Sequence, residues 1–196
     1  MQQAVKFSII VASDSQGGIG HEGKVPWDVP SDRVYFRRVT TDTVNPQKRN
    51  AVIMGRKTKD GIPPKFFPLA NRLNILVTRS TTPDPSMPIA VLVSNSLEDA
   101  LKTASSDPSI ETIFVIGGGE IYRQALALDP KIGQCEKIYY THVKGTFPSD
   151  CTIPTLDELT SSYVSVSNNH PAAKQGELEH NDIKYEYLLL VPKSQQ

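Results

Sequence analysis

Short apolar runs, rich in β-branched residues, recur at 7–12, 51–54, 73–77, 89–93, 113–116 and 138–143. Each is nearly continuous, which is the pattern of strands buried on both faces of a sheet. Between them lie stretches with helical spacing. One covers 31–39, behind Pro30. A second covers 96–102, where Ser96 can cap and Asp99 follows three residues later. A third covers 120–128, where Ile121, Tyr122, Ala125, Leu126 and Leu128 share one side until Pro130 stops the helix. Strands alternating with helices predict an α/β domain with a largely parallel sheet. The tail reads differently. Residues 163–166 and 183–191 predict two strands joined by the polar segment 167–182, an antiparallel hairpin at one edge, and 80–88 reads as a surface loop.

Composition narrows the function classes. The chain has 196 residues, 38% of them hydrophobic, which fits a single domain over 1–196. Equal numbers of acidic and basic residues, 21 each, leave no cationic surplus for nucleic acid or an anionic membrane. No apolar run reaches the length of a membrane span, and the N-terminus lacks the charged-then-apolar pattern of a leader. A cytoplasmic protein is therefore expected, working as a monomer without nucleic-acid or membrane partners. Cys135 and Cys151 are the only cysteines, so neither a disulfide framework nor a metal site is expected.

Two glycine-rich stretches carry the candidate chemistry. Gly117-Gly118-Gly119-Glu120 follows a buried strand and opens a helix, leaving N–H groups and a positive dipole end able to take a phosphate. A tight turn is the plainer use of such a glycine pair. The other stretch, Gly17 to Gly23, ends at Pro26 and at Trp27, the only tryptophan. Glycine lets the backbone approach a flat ligand or move as a lid, and Pro-Trp supplies a stiff aromatic wall. Asp32, in the first turn of the next helix, complements the helix dipole. With Trp27 before it and Phe36 four residues later on one face, it could instead bind a nitrogen heterocycle in an apolar pocket.

Taken together, Gly18-Ile19-Gly20, Val25-Pro26-Trp27, Asp32 with Tyr35-Phe36, the run from Val52 through Gly55-Arg56-Lys57-Thr58, Ile62-Pro63, Pro68-Leu69, Arg72-Leu73-Asn74 and Val115 to Tyr122 resemble the dihydrofolate reductase family in its longer, fungal-like eukaryotic form. The resemblance implies a single-domain fold: an eight-stranded, mainly parallel sheet with a C-terminal antiparallel hairpin and about four helices. It also implies NADPH-dependent reduction of 7,8-dihydrofolate to tetrahydrofolate for one-carbon metabolism. Asp32 then matches the acid that holds the pterin, Thr141 the threonine bridging acid and pterin, and Trp27 their catalytic neighbour. Ile10, Val25, Arg33, Phe36, Ile62, Leu69, Val115, Ile116 and Tyr122 fall on the substrate side, and Arg72 matches the arginine that takes the substrate's glutamate carboxylate as a fork. Ala12, Ile19, Gly20, Gly55, Arg56, Lys57, Thr58, Thr78, Arg79, Gly117, Gly118, Gly119, Glu120 and Ile121 fall on the cofactor side. There the family's Gly117-Gly118 bond is cis.

Departures from the family gather on the substrate side. Arg33 stands where an apolar residue is usual, Val25 where Leu or Met is, Phe67 where Arg precedes Pro-Leu, and Lys59 where Trp follows Lys-Thr. Arg33 and Arg37, one helical turn apart, are expected to meet substrate carboxylates in place of the arginine missing at Phe67. The smaller Val25 and polar Arg33 are expected to loosen the grip on bulky antifolates. Two other readings stay open at this point: a paralogue that binds NADPH or folate without turnover, and a pyrimidine reductase of riboflavin synthesis.

Overall fold

The described residues of the computed structural model, which are 3–80, 82, 84–167, 171, 173 and 176–195, form eleven strands and five α-helices, against the four or so helices expected. Two compact units result, each assembled from separate stretches of chain: Met1–Phe7 with Thr40–Gln134, and Ser8–Val39 with Cys135–Gln196. Strand β1 (Val5–Asp14) and strand β7 (Gly133–Val143) each run through a boundary between these stretches.

The first unit holds the parallel ladder. Strands β3 (Arg49–Gly55), β4 (Arg72–Val77), β5 (Val91–Ser94) and β6 (Ile110–Val115) lie in the order β6-β3-β4-β5, each neighbouring pair parallel where its register is fixed. Strand β4 is buried throughout and β3 from Asn50 onward, as their unbroken apolar runs require. Helix α2 (Arg56–Gly61) follows β3 directly, and α4 (Gly119–Leu126) follows β6. Helix α3 (Leu97–Ser106) is started by Ser96, whose hydroxyl accepts from Asp99 N at 3.0 Å. Its buried stripe of Leu97, Ala100, Leu101 and Ala104 has helical spacing. Full burial of Leu97 and Leu101 contributes roughly 1.5–3 kcal/mol each. Strand β5 starts two residues later than the apolar run at 89–93 predicts. A turn closed by Val91 N on Pro88 O comes first, and it leaves Ile89 wholly exposed.

The second unit carries the antiparallel pairs. Helix α1 (Pro30–Thr41) opens with proline at its first position, where the missing N–H costs nothing. The far end of strand β11 (Ile183–Pro192) pairs antiparallel with β9 (Tyr163–Ser165), as the tail pattern predicts, while its length pairs with β7, which that pattern does not indicate. The polar connection between β9 and β11 contains a further strand, β10 (Glu177–His180), which was not expected. It turns into β11 through Asn181 and Asp182, both at positive φ (47° and 62°), a two-residue hairpin turn. Residues 168–170, 172, 174 and 175 of that connection, and 81 and 83 of the loop at 80–88, lie outside the described residues. The main sheet counts nine strands, β9 among them, one more than the eight expected. A small two-stranded antiparallel sheet of β2 (Gly18–Gly20) with β8 (Cys151–Thr152) and helix α5 (Leu156–Leu159), with its Thr155/Glu158 capping box, complete the unit. No helix among the described residues is long and apolar enough to cross a membrane.

Candidate active site

In the second unit the helical acid is set by α1 and its partner by β7. Thr141, 2% exposed, donates through Oγ1 to Asp32 Oδ1 at 2.7 Å across 109 residues of sequence. Burial pushes the Asp32 carboxyl up from its ordinary value. The Thr141 hydrogen bond and the Arg33 charge pull it down, and burial prevails. The result is a half-buried carboxyl that gains from any ligand donating hydrogen bonds to it. Tyr35 and Tyr187 stack with centroids 3.9 Å apart, and both hydroxyls are buried without a hydrogen-bond partner among the described residues.

Trp27 is 5% exposed, and its ring meets Phe147 edge to face at 5.5 Å. Its Nε1 also has no partner among the described residues. Ile10 is buried, Ala12, Ile19, Gly20 and Phe36 are half-buried, and Val25 is exposed. Val25 lines a surface cavity of about 260 Å³ with His21, Glu22, Lys24, Pro26 and Pro148. Arg33 does not bond Asp32. It pairs with Asp28 at 3.0 Å, with both side chains largely exposed.

Several residues that matter here had no strong local signal. Asp14, 1% exposed, accepts Gln16 N and Gly18 N on Oδ1, each at 2.8 Å, and Phe147 N on Oδ2 at 2.9 Å. The first two make an Asx turn that Asp-Ser-Gln-Gly-Gly could have announced. Phe147 lies 133 residues away, and no local pattern points to it.

In the first unit the cofactor-side glycines are brought together. Gly55 N donates to Gly117 O at 2.7 Å, and Ile116 N donates to Ile53 O at 2.9 Å. The Gly117-Gly118 bond is cis, as is Phe67-Pro68. Gly117 has φ +112°, a conformation side chains rarely adopt, and a Cβ there would lie 2.9 Å from the Tyr122 ring. At Gly118 a Cβ would stand 3.3 Å from Thr58 Oγ1, so backbone and hydroxyl form a tight cradle. Helices α2 and α4 are preceded by Gly55 and Gly118, neither of which caps by side chain. The cations Arg56, Lys57 and Arg79 are exposed, Thr58 is half-buried, and Thr78 N is held by Ser94 O at 3.0 Å. Glu120 turns its carboxylate to Arg123 and Gln124 on its own helix. Ile116, Ile121 and Tyr122 are buried.

Arg72 is fixed rather than solvated. It is 9% exposed and donates from Nε to Ala70 O at 3.0 Å and from Nη1 to Thr40 Oγ1 at 2.7 Å. Asn74 locks the preceding turn, accepting from Leu69 N and donating to Leu69 O, each at 2.9 Å. Leu69 and Ile62 are half-buried, and Lys59 sits over the Phe67 ring at 5.9 Å.

Comparison with known proteins gives one family. The dihydrofolate reductase family matches residues 6–189. The dihydrofolate reductase of Aedes albopictus is 39% identical over 96% of this chain and 99% of its own length. That of Drosophila melanogaster is 36% identical over 95% and 97%. The solved dihydrofolate reductase of Schistosoma mansoni superposes with a TM-score of 0.79 at 29% identity, covering 97% of this chain and all of that one.

Proposed function

As the chain belongs to the dihydrofolate reductase family, we propose that it reduces 7,8-dihydrofolate to 5,6,7,8-tetrahydrofolate with NADPH, feeding one-carbon metabolism. The observation that carries this reading is the Thr141 to Asp32 hydrogen bond, with its half-buried, upward-shifted carboxyl. Thr141 takes one lone pair of Oδ1, and the carboxylate keeps acceptor sites for the pterin amino group and ring nitrogen. Donation from those groups offsets the burial cost, so the pocket favours a heterocycle with two adjacent N–H donors. Trp27 closes the glycine loop as a rigid wall and has an indole N–H to offer.

The residues of the first unit fit a dinucleotide phosphate. The cradle at Gly118 and Thr58 and the helix starts without side-chain caps give N–H and hydroxyl donors to a pyrophosphate. Arg56, Lys57 and Arg79 supply enough positive charge for an added 2′-phosphate, which favours NADPH over NADH. When bound, NADPH supplies the hydride. Reduction of one C=N bond also consumes a proton, which reaches the pterin through water while ionised Asp32 raises the basicity of the ring. Arg72, its guanidinium plane held by Thr40 and Ala70, takes the substrate's glutamate carboxylate. The expected working form is a monomer.

The test is the near-ultraviolet absorbance of NADPH with purified protein and dihydrofolate. Absorbance should decay only when both are present, and a flat trace from protein that binds NADPH would refute the reading.

A further inference from the structure

Asp14 buries a carboxylate at the root of the glycine loop, where the proposed reaction itself uses no acid. Its three partners are backbone N–H groups from two places, the loop's own first turn at Gln16 and Gly18, and Phe147. Phe147 in turn sets its ring against Trp27, at the other end of the same loop. One carboxylate thus ties the start of the loop directly and its end through a single aromatic contact. Gly18 is shaped to it, since a Cβ there would lie 2.9 Å from Asp14 Oδ2 and from Ser149 Cβ. The segment carrying Phe147 runs alongside the loop and holds it at further points. Ser15 N bonds Gly145 O at 3.0 Å, Asp150 N bonds Gly20 O at 2.9 Å, and Glu22 N bonds Asp150 Oδ2 at 2.8 Å. A buried carboxylate is a demanding choice for a joint that a neutral turn could make, because each N–H it loses leaves charge unsolvated. That cost sharpens a two-ended clamp into one arrangement.

We propose that Asp14 is a positioning residue for hydride transfer, clamping the glycine loop and, through Phe147, the Trp27 wall in the reactive arrangement. This rests on the reductase reading above. Positioning acts on the chemical step more than on ground-state binding.

The variant Asp14→Asn separates the two ends of the clamp. Its one carbonyl oxygen can still accept Gln16 and Gly18, while its NH2 meets the Phe147 N–H donor to donor. In the free protein, amide exchange at Phe147 should quicken about tenfold or more while Gln16 and Gly18 stay protected. The emission of Trp27, the only tryptophan, should shift as Phe147 loosens. Single-turnover hydride transfer should slow about tenfold, with dissociation constants for NADPH and dihydrofolate within about twofold of wild type. Phe147→Leu, which keeps the N–H and removes the aromatic edge, should slow the same step, and it decides the matter if Asp14→Asn does not fold. Wild-type hydride transfer in a folded variant whose Phe147 amide or Trp27 emission has changed would overturn the proposal, as would unchanged Phe147 protection in Asp14→Asn. If wild type turns over and the variants match it, only this inference falls; if wild type leaves NADPH unoxidised, the functional reading falls and takes this one with it.

Discussion

Thr141→Val removes one hydroxyl from a buried site and leaves nearly the same volume. Its consequence can be worked from the 2.7 Å bond to Asp32. A hydrogen bond to a charged group is worth about 1.5–3 kcal/mol, or roughly 10- to 100-fold in an equilibrium or rate constant. The bond favours ionised Asp32, so its loss lets burial push the carboxyl still higher. Pterin binding uses the ionised form, so kcat/KM for dihydrofolate should fall by roughly 10- to 100-fold near neutral pH, with its acid limb displaced to higher pH. Stability should respond in the same sense. A carboxyl raised on folding stabilises fully below its unfolded value and loses that contribution as pH rises through the folded value. The variant should therefore lose stability relative to wild type at neutral pH and recover part of it in acid. The assay is NADPH oxidation across pH, paired with urea unfolding at the same pH values. An acid limb that does not move, with kcat/KM within about twofold of wild type, would refute the coupling of Thr141 to Asp32.

Three further outcomes follow from other parts of the structure. Gly117→Ala forces a side chain into φ +112° and against the Tyr122 ring, and should cost about 1–3 kcal/mol in urea unfolding as well as weakening NADPH binding. Tyr35→Phe removes a buried hydroxyl with no partner among the described residues, and should raise stability by about 1 kcal/mol, read as a higher Tm. Arg72→Leu should raise KM for dihydrofolate by roughly 10- to 100-fold with little change in kcat, while a reduced pterin lacking the glutamate tail is processed as by wild type.

The parallel ladder was legible because each strand is a nearly unbroken apolar run, a pattern that survives without knowledge of its neighbours. Strand β10 was not, because Glu177-Leu178-Glu179-His180 carries only one apolar residue, although the turn residues Asn181 and Asp182 stood beside it. Helix α5 escaped for a different reason: four residues are too few to show a period, and only the Thr155/Glu158 capping pattern marks it. In the candidate site, local chemistry nominated the glycine turns and Asp32, whereas Thr141 and Arg72 came from the family resemblance. Nothing local says that Thr141 meets Asp32 or that Arg72 is gripped by Thr40. The pairing of Arg33 with Asp28 was equally hidden, since both are ordinary surface charges until α1 sets them at 3.0 Å. The clamp at Asp14 joins residues 133 apart and is visible only once the chain is folded.

The central claim is that a half-buried, ionised Asp32 holds dihydrofolate for reduction by NADPH, and Asp32→Asn addresses it directly. Asparagine fills the same space but cannot become the anion, and it offers an N–H to a pterin that already donates. Turnover of NADPH with dihydrofolate near neutral pH should fall about 100-fold or more. NADPH affinity should stay within about twofold, and stability should match or exceed that of wild type because the burial penalty on the charge is gone. Wild-type turnover in a folded Asp32→Asn protein would contradict the account.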